Sequence, residues 1–230
     1  MERLASAALQ SQNMSTDPNG PSQPAPFQPD LAPPDVAQAK SAPGAIITVR
    51  HGRPNVSRKV MLNAAEYAAW WGRYEETGLK PGQVPPPSLM DIVRKAAVVL
   101  SSSRIRAVET AEALTEGRGF EIDDSLIEAP LPPPRWPSWL RLPPTVWGVI
   151  ARFWWWFLNH HEGQESRKQA EARAQAVAAR MTELARQGDV VIVAHGFFNT
   201  MIRRYLRRIG WTIVESEGGL SYWCRRRLVR

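Results

Sequence analysis

From Gly44 onward the chain predicts an α/β protein, a three-layer α/β/α sandwich with a mainly parallel central sheet. Three observations predict it. Apolar runs of strand length alternate with longer stretches of helical periodicity, the pattern of βαβ units. Two of those runs, Ala45 to Val49 and Val190 to Ala194, lead directly into a His-Gly pair. The third observation is a break in composition near residue 43: the preceding stretch is rich in Ser, Gln, Pro, Ala and Asn and poor in large apolar groups. Such a stretch cannot bury enough surface to offset its ordering entropy. Residues 1–43 are therefore expected to be a disordered tail, and 44–230 one domain.

The elements follow in order. A strand over Ala45 to Val49 runs through Arg50-His51-Gly52 toward a helix that Asn63 can cap, with Glu66 three residues on completing a capping box. That helix carries Tyr67, Trp70, Trp71 and Tyr74 and is ended by Gly78 and Pro81. After Pro85-Pro86-Pro87, Ser88 is placed to cap a short helix through Lys95. A strand over Ala97 to Leu100, a helix from about Ser103 to Thr115 and a short strand near Phe120 to Ile122 precede Glu128. A long helix from about Gln164 to Gln187 is closed by Gly188. A strand over Asp189 to Ala194, a helix over Phe197 to Arg208 and late strand structure over Trp211 to Val214 and Leu220 to Val229 complete the chain.

Composition narrows the chemistry. Of 230 residues, 43% are hydrophobic and ten are tryptophan, enough for a sizeable core without a staple. The one cysteine, Cys224, excludes an intrachain disulfide and a cysteine-rich zinc site, and fits a reducing compartment. It reads as a half-buried strand residue. No 7–15-residue apolar segment follows the start, so the cytoplasm is the expected location. The net charge of +7 favours anionic partners. It is concentrated in Arg203-Arg204, Arg207-Arg208 and Arg225-Arg226-Arg227, yet no nucleic-acid motif accompanies these arginines, so nucleic acid is not the expected partner.

In an open α/β sheet, ligands collect at the carboxyl ends of the strands. Both His-Gly pairs and the Ser101-Ser102-Ser103 turn fall there. The turn leads to Arg106, near a helix N-terminus that also favours an anion. Two arginines, two histidines and a helix end suit a phosphate group. These residues, Arg50-His51-Gly52, the serine turn with Arg106-Ala107 and Thr110-Ala111, Glu128, and Val193-Ala194-His195-Gly196, resemble the histidine phosphatase superfamily, the phosphoglycerate mutase-like proteins, over roughly Gly44 to Gly210.

The resemblance implies a phosphatase acting on a phosphate monoester. In it His51 would be the nucleophile that forms a phosphohistidine. Arg50, Arg106 and His195 would bind the phosphoryl oxygens, with Arg106 preferred to Arg104 by register. Glu128 would protonate the leaving oxygen and then activate water. Asp124 and Glu162 are the substitutes for it, because a proline run follows Glu128. After the first signature, Arg53-Pro54-Asn55-Val56-Ser57 departs from the family pattern, so Ser57, or Asn55, is expected to supply a phosphate contact. No metal or other cofactor is implied. His160-His161-Glu162 reads as a helix-end or surface feature, since adjacent residues on a helix do not face one another.

Residues 129–160 form a Trp/Pro-rich insert. Its apolar run from Val146 to Leu158 is thirteen residues and contains Arg152, against the ~20 that a spanning helix needs. A lid over the site, a homodimer face and a peripheral membrane contact are the readings it leaves open. The lid would shape a pocket for a phosphorylated small molecule with an apolar or aromatic part. Two alternatives stand beside the phosphatase: phosphotransfer of the phosphoglycerate mutase type, and a non-catalytic membrane-peripheral or partner-binding module on the same fold.

Overall fold

A computed structural model describes residues 42–230. All but the last two residues of the expected tail lie outside the described residues. A six-stranded sheet has the order β3-β2-β4-β1-β6-β5, with β1 over Ile46–Arg50, β2 over Val98–Ser101, β3 over Glu121–Ile122, β4 over Val190–Ala194, β5 over Thr212–Glu217 and β6 over Arg225–Val229. The first four of these strands are parallel to one another, while β6 pairs antiparallel with β1 and with β5. The late strand structure expected near the C-terminus is thus an antiparallel hairpin added to a parallel sheet.

Strand alternation builds two cores. Ile46, Leu100, Val190, Ile192 and Ala194 point to a face covered by α5 (Arg167–Leu184) and α6 (Gly196–Arg208). Ile47, Val49, Val99, Val191 and Val193 point to the other, covered by α2 (Pro87–Lys95) and α3 (Ile105–Thr115). Strands buried on both faces read as continuous apolar runs, which is why β1 and β4 stand out in the sequence.

A third cluster joins α1 (Ala64–Glu76) to α4 (Pro144–Leu158), with Tyr67, Trp70 and Trp147 buried together. Burying side chains of this size stabilises by roughly 3 kcal/mol each. The Asn63–Glu66 capping box is present at the start of α1. The α2 cap differs from expectation. Pro86 occupies the N-cap position and Pro87 the first turn, with no side-chain cap bond; the Ser88 hydroxyl instead accepts from Arg225 Nη1 at 2.9 Å. A proline in the first turn needs no N–H and has its φ already set for a helix.

The second half of the tryptophan insert is α4, Pro144–Leu158. On α4, Trp147, Ala151 and Trp155 face the core, and Val146, Val149, Phe153 and Phe157 stay exposed. Asn159, in the left-handed conformation, ends it, so His160 and His161 lie just beyond a helix end. His160 Nε2 is 3.2 Å from the Pro133 carbonyl, and neither histidine lines the cavity described next. Among the described residues no helix is long and apolar enough to cross a membrane.

Candidate active site

The carboxyl ends of β1 and β4 and the first turn of α3 open into a cavity of about 510 Å³, and Arg50, His51, Arg106, Glu128 and His195 all line it. Backbone bonds extend the sheet one residue past its strands, His51 N–H donating to Ala194 O and Ser102 N–H to Val193 O, each at 3.0 Å. The turn residues are therefore as fixed as the strands. Gly52 is required here because a Cβ would lie 2.6 Å from the Trp223 ring. At Gly196 a Cβ would press on the Arg50 guanidinium at 3.4 Å.

Arg106, wholly buried, organises the centre. Its Nη1 donates to the carbonyls of Tyr74 and Glu75 at 3.0 and 3.1 Å, and Nη2 to Glu75 Oε1 at 2.8 Å. It also donates through Nε to His51 Nε2 at 3.4 Å and through Nη2 to His195 Nδ1 at 3.2 Å. Arg104 pairs with the other oxygen of Glu75 at 2.8 Å and does not line the cavity. The two imidazoles stand 5.1 Å apart.

These partners assign the tautomers. His51 Nδ1 lies 2.7 Å from its acceptor, Gly52 O, so it carries the proton and the lone pair of Nε2 faces Arg106. For His195 the order is reversed. Nδ1 accepts from an arginine, so Nε2 carries the proton and donates to Ser102 Oγ at 2.9 Å. Burial, followed by the charge of Arg106, holds both histidines well below their ordinary value.

A pH dependence follows. A depressed histidine is neutral in the fold where the unfolded chain has begun to protonate, so the unfolded state binds more protons just below pH ~6.5. The stability that the neutral rings contribute is full above that pH and is lost as pH falls toward the folded values. Thermal unfolding between pH 7.5 and 5 should show a lower Tm on the acid side, and a smaller decline in His195→Gln.

Glu128 sits where the chain enters α6. Its Oε1 accepts from Phe198 N–H at 2.9 Å and Ala129 N–H at 3.1 Å, and Oε2 accepts only from Phe197 N–H at 3.2 Å. The group seated at this helix N-terminus is therefore one of the protein's own carboxyls. Arg173 presents the segment, donating to the carbonyls of Ser125 and Ile127 at 2.7 and 2.9 Å. The substitutes Asp124 and Glu162 do not line the cavity; Glu162 pairs with Arg135.

Ser57 is the expectation that the structure corrects. It is exposed and outside the cavity, its hydroxyl accepting from Lys59 N–H at 3.2 Å while its carbonyl accepts from Trp70 Nε1. The next residue, Arg58, lines the cavity instead. Asn55 is likewise exposed and outside it. The sequence reading singled out the serine turn without a role for Ser102, and it missed Glu75 and the loop between β5 and β6. That loop accepts from Arg50 Nη1 through the Leu220 carbonyl and stacks Tyr222 under its guanidinium at 4.6 Å. Cys224, half-buried beside β6, accepts from Arg50 N–H at 3.0 Å through its carbonyl.

Among the described residues, six arginines line the cavity, Arg50, Arg58, Arg106, Arg152, Arg203 and Arg226, against Glu128 as its one carboxylate. Fold and site together define an α/β protein with paired histidines at its strand ends, beside a cavity rich in guanidinium groups. The family model described as the histidine phosphatase superfamily (branch 1) matches residues 87–217, more than half of the chain. This chain belongs to that superfamily. Arg50-His51-Gly52 lies upstream of the matched span, and β1 brings it into register beside β4.

Similar solved structures include a phosphoserine phosphatase from Entamoeba histolytica in complex with 3-phosphoglyceric acid, at 13% identity over 72% of this chain and 80% of that one, TM-score 0.48. Another is a mycobacterial glucosyl-3-phosphoglycerate phosphatase in complex with VO3, at 21% identity over 72% and 83%, TM-score 0.47. No curated protein matches the chain.

Proposed function

We propose that the chain is a phosphatase that hydrolyses a phosphate monoester through a phosphohistidine on His51. One observation carries this reading. The His51 Nδ1 proton is committed to Gly52 O, which leaves the Nε2 lone pair in a cavity rich in guanidinium groups. A neutral imidazole is the nucleophilic form, and its depressed basicity keeps it neutral in mildly acidic solution.

In the first step Nε2 attacks phosphorus, the ester P–O bond breaks, and Glu128 gives its proton to the departing alcohol oxygen. Oε2, held by a single long amide contact, is the oxygen free to do so. In the second step water attacks phosphorus, Glu128 takes its proton and the N–P bond breaks. Arg106 exchanges its long contacts with the histidine nitrogens for phosphoryl oxygens, and Arg50 joins it. Rigid guanidinium forks suit that role, and phosphoryl transfer leaves the protein mainly positioning and electrostatics to supply.

The test is to quench turnover of an aryl phosphate in alkaline denaturant and map the digest by mass spectrometry. The expected result is one phosphoryl group on the peptide containing His51. Steady release of inorganic phosphate with no phosphoryl group on that peptide would overturn the mechanism. Mutase-type transfer shares the intermediate, and would return a new phosphate ester rather than free phosphate.

A further inference from the structure

The outer face of α6 carries charge that the rest of the fold leaves uncompensated. Thr200, Arg203, Arg204, Arg207 and Arg208 recur at i, i+3, i+4, i+7 and i+8, the spacing that puts side chains on one face of a helix. Arg204, Arg207 and Arg208 are exposed, and none of the four arginines forms an ion pair among the described residues. On β6 the opposite holds: Arg225 pairs with Glu215 and Glu217, and Arg227 with Asp189. Like charges three and four positions apart repel along a helix. The negative end of the helix dipole offsets this for Arg207 and Arg208 in the last turn, though not for Arg203 and Arg204. Such a stripe calls for negative charge from outside the described residues.

Apolar side chains border the stripe on both sides. Trp156 of α4 packs edge-on against Phe197 at 5.7 Å, and its ring lies 5.9 Å from the Arg204 guanidinium. Beyond it Val149, Phe153 and Phe157 project from α4 at 71%, 49% and 67% exposure. On the other side Ile213 of β5 lines a bowl of about 470 Å³ together with Thr200 and the four arginines, and Val214 beside it is exposed. The candidate active-site cavity meets this face, because Thr200 and Arg203 line both the cavity and the bowl. Folded monomers rarely leave apolar groups of this size contiguous unless something covers them.

We infer that this face docks on a bilayer containing anionic phospholipid, with the α6 arginines at the headgroup phosphates and Phe153, Phe157 and Ile213 at the boundary with the acyl chains. This inference stands apart from the phosphatase reading. Guanidinium groups bind phosphate oxygens as rigid forks, and basic residues beside aromatic and aliphatic ones let electrostatic attraction and apolar burial add at an interface. Charge decides among the occupants. A second copy set on this face by a two-fold axis would bring arginine stripe against arginine stripe. A nucleic acid would match the arginines and leave the flanking phenylalanines without a partner. Among the described residues no helix is long and apolar enough to cross a membrane, so the contact through this face is peripheral.

The experiment floats the full chain with vesicles of phosphatidylcholine and with vesicles in which a third of the lipid is phosphatidylglycerol, at low and at raised salt. The wild type should float with the anionic vesicles and not with the neutral ones, and the bound fraction should fall as salt screens the arginines. Changing Arg204, Arg207 and Arg208 together to serine should weaken partitioning about 100-fold, and Phe153→Ser with Phe157→Ser about tenfold. All five side chains are exposed and outside the active-site cavity, so both variants should keep a Tm close to that of the wild type, which separates a lost surface from a lost fold. A wild type that floats with neither vesicle would overturn the proposal, as would flotation that either variant retains at wild-type strength. A concentration-dependent dimer that Phe153→Ser abolishes, with no flotation, would assign the face to a second copy and overturn the lipid contact.

Discussion

His51→Ala should release phosphate from an aryl phosphate at the uncatalysed rate, a loss of about 10⁴-fold or more, because no other group in the cavity replaces the attacking nitrogen. His195 is the nearest candidate, its ring 5.1 Å away. Its Nε2 carries the proton that Ser102 accepts and its Nδ1 is occupied by Arg106, so it presents no free lone pair. Binding of inorganic phosphate should change far less than turnover in His51→Ala, since Arg50 and Arg106 remain. Turnover and calorimetry on the same preparation check both halves. A variant that keeps a tenth of wild-type turnover would show that the nucleophile lies elsewhere.

Glu75→Ala should cost both stability and activity. Arg106 is fully buried, and Glu75 bridges it to Arg104. Removing one partner of a buried ion pair costs about 3–5 kcal/mol, because the remaining charge stays desolvated. For a domain of this size that lowers Tm by roughly 10 °C. The kinetic effect should fall on kcat and on phosphate affinity together, about 100-fold in kcat/KM, because Arg106 orients both histidines. Glu75→Gln keeps an acceptor for Arg106 and should restore much of the stability but less of the turnover. A fall in Tm with unchanged kinetics at low temperature would mean that Glu75 is only structural.

The contrast between these two residues shows where the sequence was legible. His51, Arg106 and His195 are each tied to a strand end or helix start by their own neighbours, so local pattern was enough to pick them out. Glu75 stands beside Glu76 in the last turn of α1, and nothing local distinguishes the two. Its partner lies 31 residues away and meets it only through packing. Ser57 fails for a related reason: the Pro54–Leu79 bridge and the bond from Trp70 to the Ser57 carbonyl fix that loop, and they turn the hydroxyl outward. Alternation of apolar runs identified the parallel strands, whereas the β5–β6 hairpin carries exposed and charged residues and has a weaker pattern.

The placement of β1 between β4 and β6 makes assembly of the candidate site depend on strands that are synthesised long after β1. Strand β1 and its histidine are synthesised well before both neighbours of that strand and the loop that seats Arg50, which lie within residues 190–230. Contacts of such sequence separation form slowly, because loop closure must precede any gain from pairing. A nascent or clipped chain would carry Arg50-His51-Gly52 without the strands and loop that surround it. On the proposed mechanism, phosphohistidine formation would then report on completion of the whole sheet, because the β5–β6 hairpin seats Arg50 and packs Tyr222 beside His51.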